Sequence, residues 1–263
     1  MVDPNNLKEI LHNISKKIII PSFGNITNNQ ISYKNEKDIV TEIDFAVELE
    51  LSISLPKLIK NANFIGEEIY AKNPSILKYY LLDNYCWTVD PIDGTSNFAK
   101  SKDRFAVMVA LTKNKKILQS FIYKPITEEF MYADSTAAYL DNKNIKLNKY
   151  TEIENSIGSI STKYWDEAKK TKLLAIKDKF RNINSYGSIG CEYFDIALGK
   201  RDFALLSRLH PWDHIPGVFI VRQAGGHDCH FNKKEYKFYE DSKNLVVSNS
   251  QKLSNEILNL IGE

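Results

Sequence analysis

Apolar residues recur every three or four positions through Leu7, Ile10, Leu11, Ile14 and Ile18, one stripe of a helix that Asp3 caps and Pro4 opens. The same spacing returns over about 41–59, in Ile43, Ala46, Val47, Leu51, Leu55 and Leu58, with Pro56 tolerated near the end and Glu42 and Asp44 in the first turn. Beyond residue 85 the pattern shortens to runs rich in β-branched and aromatic residues, at 87–89, 105–111, 117–123 and 130–132. The segment Lys113-Asn114-Lys115-Lys116 joins the middle two as an antiparallel hairpin. After about residue 150, short strands alternate with helices. Strands are predicted at 157–161, Phe203–Leu206 and 245–247, and helices near 165–180, near 190–199, after Pro211 and over 250–261.

This order fits an α/β class of the α+β layered kind, helices over mixed sheets, in two halves of residues 1–150 and 151–263. The sequence has no repeat, no low-complexity tract and no linker rich in Pro, Gly or Ser. A site between the halves is the ordinary placement.

Composition narrows the function. A chain of 263 residues that is 43% hydrophobic can bury a substantial core. Its formal charge is only +2, and lysines such as Lys113, Lys115 and Lys116 come in short groups, which describes a solvated face better than a nucleic-acid groove. Cys86, Cys191 and Cys229 are odd in number with no CxxC spacing, so neither a disulfide framework nor a zinc site is expected. No apolar run spans a bilayer, and the run at 18–20 stops at Pro21, so a signal peptide is not expected; the expectation is a cytoplasmic protein.

The densest chemical signal is Trp87-Thr-Val-Asp90-Pro-Ile-Asp93-Gly-Thr95, an apolar strand that ends at a carboxylate with a second carboxylate three residues on. Pro91 keeps Asp90 extended, and Gly94 permits a tight turn, leaving the amides of Gly94 and Thr95 to open a helix and receive phosphate. Two carboxylates on one turn repel each other, and a hard divalent cation, Mg²⁺, Mn²⁺ or Ca²⁺, compensates them better than zinc. Read alone, the segment is equally an Asp-Pro turn with a capping Asp. Further acids sit at strand ends or helix starts: Asp38 and Asp44 around Thr41, Glu67 and Glu68 after Gly66, and Asp213 after Trp212. Singly, each reads as a turn acid or a cap. Together they argue for one shared metal site.

With these segments in place, the sequence resembles the inositol monophosphatase-like phosphatases over nearly its whole length. Asp38-x-Val-Thr41-x-x-Asp44, Gly66-Glu67-Glu68, Asp90-Pro-Ile-Asp93-Gly-Thr95 and Trp212-Asp213-x-x-Pro-Gly217 stand in that family's order. The resemblance implies a five-layer α-β-α-β-α sandwich, a homodimer, lithium inhibition, and two or three Mg²⁺ per site that Mn²⁺ can replace. It implies that Glu67, Asp90 and the Ile92 carbonyl hold one ion and that Asp90, Asp93 and Asp213 hold another, with Asp90 bridging. Thr95 and Asp44 would orient and deprotonate the attacking water, Glu67 acting with them, and Lys34 or Lys37 would approach the ions from a loop.

The resemblance thins on the substrate side. Counting back from Asp213, Leu206 stands where inositol-cleaving members carry a glutamate. Gly187-Ser188-Ile189-Gly190-Cys191-Glu192 replaces a Gly-Ser-Ala-Ala segment. Ser188, Glu192 and Arg208 are the candidate substrate contacts, beside Gly94 and Thr95 for the phosphate. The expected activity is Mg²⁺-dependent hydrolysis of a small soluble phosphomonoester, an inositol monophosphate or a related polyol or sugar phosphate. Sugar-bisphosphatase, histidinol-phosphatase and nucleotide 3′-phosphatase are alternatives, and a catalytically silent metal-binding module is the rival from another class.

Overall fold

A computed structural model describes residues 1–35, 38–147 and 150–262, with the side chains of all of these except 28, 34 and 35. α1 (Pro4–Ile14) runs through a π-helical stretch, Ser15–Ile19, into a last turn, α2 (Ile20–Ser22). A hairpin of β1 (Ile31–Asn35) and β2 (Asp38–Thr41) feeds α3 (Glu42–Leu58). β3 (Asn63–Gly66) passes directly into α4 (Glu67–Lys72), and β4 (Tyr85–Asp93) into α5 (Thr95–Ala99). The meander β5 (Ala106–Lys113), β6 (Lys116–Lys124), β7 (Glu129–Ala133), β8 (Ala138–Leu140) and β9 (Lys143–Ile145) follows. Next come β10 (Ile157–Ile160), α6 (Glu167–Ala175), β11 (Asn182–Ile183), α7 (Ile189–Ala197) and β12 (Phe203–Leu206). α8 (Pro211–Gln223), β13 (His227–Cys229), β14 (Leu245–Ser248) and α9 (Gln251–Ile261) complete the chain.

Strands β3 to β9 form a seven-stranded sheet in sequence order, and β11-β10-β12-β14-β13 form a five-stranded one. Alternation along single strands shows why the layers stack. On β5, Val107, Val109 and Leu111 face α1 and α3, whereas Ala106, Met108 and Ala110 face α7 and α8. On β12 and β14, Ala204, Leu206, Leu245 and Val247 turn toward those same two helices, and Phe203, Leu205 and Val246 turn toward α6 and α9. The result is helix, sheet, helix, sheet, helix, the expected five layers. α7 and α8 are apolar around most of their circumference because sheets cover both sides of them.

Several elements differ from the sequence expectation. β4 does not stop at Val89 but runs through Asp90 and Pro91 to Asp93, with its pairing to β5 shifting between Asp90 and Asp93. That irregularity is what a proline lacking an amide hydrogen imposes on a paired strand. The helix near 165–180 is shorter, ending at Ala175. Among the described residues no helix is long and apolar enough to cross a membrane.

Candidate active site

Three strand-to-helix junctions meet at one cleft of about 560 Å³. β3 delivers Glu67 as the first residue of α4, β4 delivers Asp90, and the segment after β12 delivers Asp213 in the first turn of α8. One carboxylate oxygen from each of Glu67, Asp90 and Asp213 lies within 4.8 Å of the other two. Asp90 is buried, and burial, followed by the charges of Glu67, Asp93, Asp213 and Asp44, holds its carboxyl well above the usual carboxylate range. Acids so placed are costly without a counter-charge, and hard oxygens at this spacing fit a divalent cation of the Mg²⁺ type.

Beside the cluster, Thr95 Oγ1 lies 3.0 Å from Asp44 Oδ1 and 3.0 Å from the Ile92 carbonyl oxygen. One hydroxyl proton can serve only one of these acceptors at a time. Asp44 is fixed by a capping box, its Oδ2 accepting from Thr41 N at 2.8 Å and Thr41 Oγ1 at 2.5 Å. Burial outweighs those bonds and pushes its carboxyl up to about 6. Gly94 turns the chain between Asp93 and Thr95 at φ +91°, and a Cβ there would lie 2.9 Å from Ser188 Cβ and 3.0 Å from the Arg104 carbonyl. The turn therefore needs glycine twice over, for its backbone conformation and for space. Gly94, Thr95 and Ser96, at the start of α5, line the cleft.

Two of the expected residues line the cleft and are also held by hydrogen bonds of their own. Asp93 lines the cleft but is not in the three-acid group: its Oδ2 accepts from Gly190 N at 2.7 Å and from Ser188 Oγ, and its Oδ1 from Ile189 N at 3.1 Å. The amino end of α7 thus claims its carboxylate, which burial pushes up to about 6 against the lowering effect of those bonds. Glu192, in the first turn of α7, is buried and lines the cleft, accepting from Ser185 Oγ at 3.0 Å, Tyr186 N at 2.8 Å and Ser159 Oγ. Its carboxylate ties β10 to the loop before α7. Ser188 caps α7 as expected while donating to Asp93. Lys34 lies in β1, but its side chain, like all of Lys37, falls outside the described residues. Arg208 and Leu206 both line the cleft, Leu206 as a buried apolar wall at the end of β12.

Sequence reasoning did not find two features. Glu48 is 2% exposed, and its two oxygens accept from Glu68 N and Ile69 N at 2.8 Å each, capping α4 at the point where Glu67 departs. An acid on the buried face of α3, in line with Asp44, Val47 and Leu51, was the available signal. The second is the set of partners of Asp38, an acid the sequence placed with the metal cluster: it bonds Lys163, Tyr164 and Arg208, which lie 125 or more positions away and carried no local signature.

A sequence model described as the inositol monophosphatase family matches residues 7–263. The fructose-1,6-bisphosphatase/inositol-1-monophosphatase of Thermotoga maritima is 29% identical over 86% of this chain and 84% of its own length. Inositol monophosphatase 3 of Solanum lycopersicum is 31% identical over 77% of each chain. Among solved structures, the extragenic suppressor protein suhB of Bartonella henselae superposes with a TM-score of 0.85 at 22% identity over 98% of both chains, a likeness of fold. The three-acid cluster, the Thr95–Asp44 contact and the match across nearly all of the sequence agree, and this chain belongs to the inositol monophosphatase family, whose members are phosphatases of phosphate monoesters.

Proposed function

We propose that this protein hydrolyses a small phosphomonoester, an inositol monophosphate or a related polyol or sugar phosphate, with Mg²⁺ as its cofactor. The observation that carries the reading is the convergence of Glu67, Asp90 and Asp213 next to a threonine already hydrogen-bonded to a buried carboxylate. The relatives named above as inositol monophosphatases support the substrate class.

Glu67, Asp90 and Asp213 would hold Mg²⁺ or Mn²⁺, with the Ile92 carbonyl and Asp93 as nearby oxygen donors. When bound, such ions lower the pKa of water and offset charge on the phosphoryl oxygens. Thr95 and Asp44 form the proton path: the hydroxyl that donates to Asp44 can accept from a water on its other side, and a carboxyl near 6 takes up that proton close to neutral pH. The first amides of α5, reached through Gly94, donate to the phosphate oxygens. Leu206 presents an apolar wall to the leaving alcohol, which suits breadth rather than hydroxyl-by-hydroxyl recognition.

We propose also that the enzyme is a cytoplasmic homodimer acting on small molecules, with neither nucleic acid nor membrane as partner; light scattering measures the assembly. The test of function is release of inorganic phosphate from a panel of phosphomonoesters with Mg²⁺ present or chelated. Full turnover in excess chelator, with metal removal verified, would contradict the metal-dependent reading.

A further inference from the structure

The first turn of α8, which carries Asp213 to the cation site, also carries a buried histidine. His214 is 2% exposed. Its Nε2 lies 2.6 Å from the backbone carbonyl oxygen of Arg208, and its Nδ1 lies 2.8 Å from the hydroxyl of Tyr193. The Asp213 amide donates to the His210 carbonyl at 3.1 Å, so the segment 207–210 between β12 and α8 is tied to this one turn at two points.

These contacts fix the state of the ring. A carbonyl oxygen only accepts, so Nε2 carries the proton. Burial keeps the ring neutral, which leaves Nδ1 as the acceptor of the Tyr193 hydroxyl proton. An apolar side chain could fill the same space without needing either partner. His214 also falls on an unspecified position of Trp212-Asp213-x-x-Pro-Gly217, so the pattern shared with the family does not require it.

Tyr193 belongs to α7 and is fully buried. Its ring lies over Gly217, one turn beyond His214, where a Cβ would collide with Tyr193 Cδ2. Ring and hydroxyl thus grip α8 at two successive turns and set its rotation against α7. The start of α7 receives Asp93, through Ile189 N at 3.1 Å, Gly190 N at 2.7 Å and Ser188 Oγ. Asp93 ends a strand of the seven-stranded sheet and Asp213 follows a strand of the five-stranded one, and both are located by contacts to the same helix.

We propose that His214 is a positioning residue for the cation site: held in one tautomer between Tyr193 and the Arg208 carbonyl, it fixes the first turn of α8 and so sets where the Asp213 carboxylate stands relative to Glu67 and Asp90. The inference rests on the reading of the cleft as a cation-dependent phosphatase site. In it His214 acts through Asp213 and not on the substrate.

Calorimetry of Mg²⁺ binding to the metal-free protein is the test, because it reads the position of Asp213 without turnover. His214→Gln and His214→Asn both put an amide in place of the ring, but the glutamine nitrogen extends as far as Nε2, whereas the asparagine nitrogen reaches only as far as Nδ1. His214→Gln should therefore bind Mg²⁺ within about threefold of wild type, and His214→Asn at least about tenfold more weakly, the low end for losing a partner that orients a ligand. Should either amide variant fail to fold, Tyr193→Phe, which loses only the hydroxyl, must still weaken Mg²⁺ binding by about threefold or more. Heteronuclear NMR of the metal-free wild type with labelled histidine should show the His214 proton on Nε2. Wild-type affinity in both amide variants overturns the proposal, as does an equal loss in both, which a role in packing alone would give. A proton on Nδ1 overturns it too. Phosphate release from a panel of phosphomonoesters with Mg²⁺, assayed on the same preparation, tests the phosphatase reading separately. Its absence from every ester refutes that reading, while Mg²⁺ affinity still decides the role of His214.

Discussion

The carboxylate of Glu48 occupies the space that a side chain at Gly66 would need: a Cβ on Gly66 would lie 2.3 Å from Glu48 Cδ. With both its oxygens on the first amides of α4, Glu48 fixes the junction from which Glu67 reaches the cation site. Gly66→Ala and Glu48→Gln disturb this contact from opposite sides, and both are expected to weaken Mg²⁺ binding by about 10–100-fold, the usual effect of losing a partner that orients a ligand. Isothermal titration of the folded variants checks it. A lowered melting temperature with unchanged Mg²⁺ affinity would assign Glu48 to stability alone.

Asp90 and Asp93 should respond unequally to amide substitution. Asp90→Asn relieves repulsion with Glu67 and Asp213, so the metal-free protein should melt at the same temperature or higher. Asp93→Asn likewise removes the burial cost of an ionised carboxylate, but it also removes an acceptor of Ser188 Oγ and two amides of α7, at about 1–3 kcal/mol for buried donors left unmade, so the metal-free protein should melt below Asp90→Asn. Repulsion alone would predict a similar gain at both positions; the contacts to α7 offset the gain at Asp93. Thermal melts in chelator distinguish the two, and both variants should lose at least about 10²-fold in kcat with Mg²⁺, the scale of one preorganised electrostatic element.

The pH dependence follows from Asp44 and Asp93, each raised from 3.8 to about 6 by burial. Between those values the folded chain binds more protons than the unfolded one, so the stability these groups contribute to the metal-free protein is full below about pH 4 and is lost as pH rises through 6. A shift of that size corresponds to roughly 3 kcal/mol per group. His214 acts in the opposite sense: burial pushes it down to about 3, so its contribution is full above 6.5 and is lost as pH falls. Asp44→Asn should therefore make the slope of metal-free stability between pH 4 and 6 more positive than in wild type. An unchanged slope would contradict the assignment. Mg²⁺ should bind more weakly at pH 5 than at pH 7, because it competes with the same protons.

Leu206 bears on selectivity. An apolar wall separates related substrates by only about 10–200-fold, so wild type should not prefer inositol 1-phosphate over a simple alkyl phosphate by more than that. Leu206→Glu should raise the ratio of kcat/KM values in favour of inositol 1-phosphate while lowering thermal stability, since the side chain is 6% exposed. A wild-type preference above about 10³ would place selectivity in another contact.

Most of the layering was legible because it is written in short-range periodicity. Leu7, Leu11 and Ile14 mark one buried helix face, and the strand Phe203–Leu206 occupies its predicted residues. The three-acid cluster was legible because each acid sits at a strand end or helix start. Asp93, Glu192 and Asp38 were not: which carboxylate meets a cation, a helix end or an arginine depends on segments that approach only in three dimensions, and Asp38 and Arg208 are 170 positions apart. Strands β8, β9, β11 and β13, two or three residues each, are too short to show a period.

Asp44 and Glu48 stand one turn apart on α3, the first touching Thr95 and the second holding the junction of Glu67. A single rigid rod therefore sets the spacing between the proton acceptor and a cation ligand. Inserting one residue between them would rotate the second by about 100° and break both alignments together. An insertion in the stretch 59–62, after the helix, would leave Asp44 and Thr95 in place and shift β3 alone. The tolerance of this protein to length variation should change abruptly at the carboxyl end of α3, strict on one side and permissive on the other.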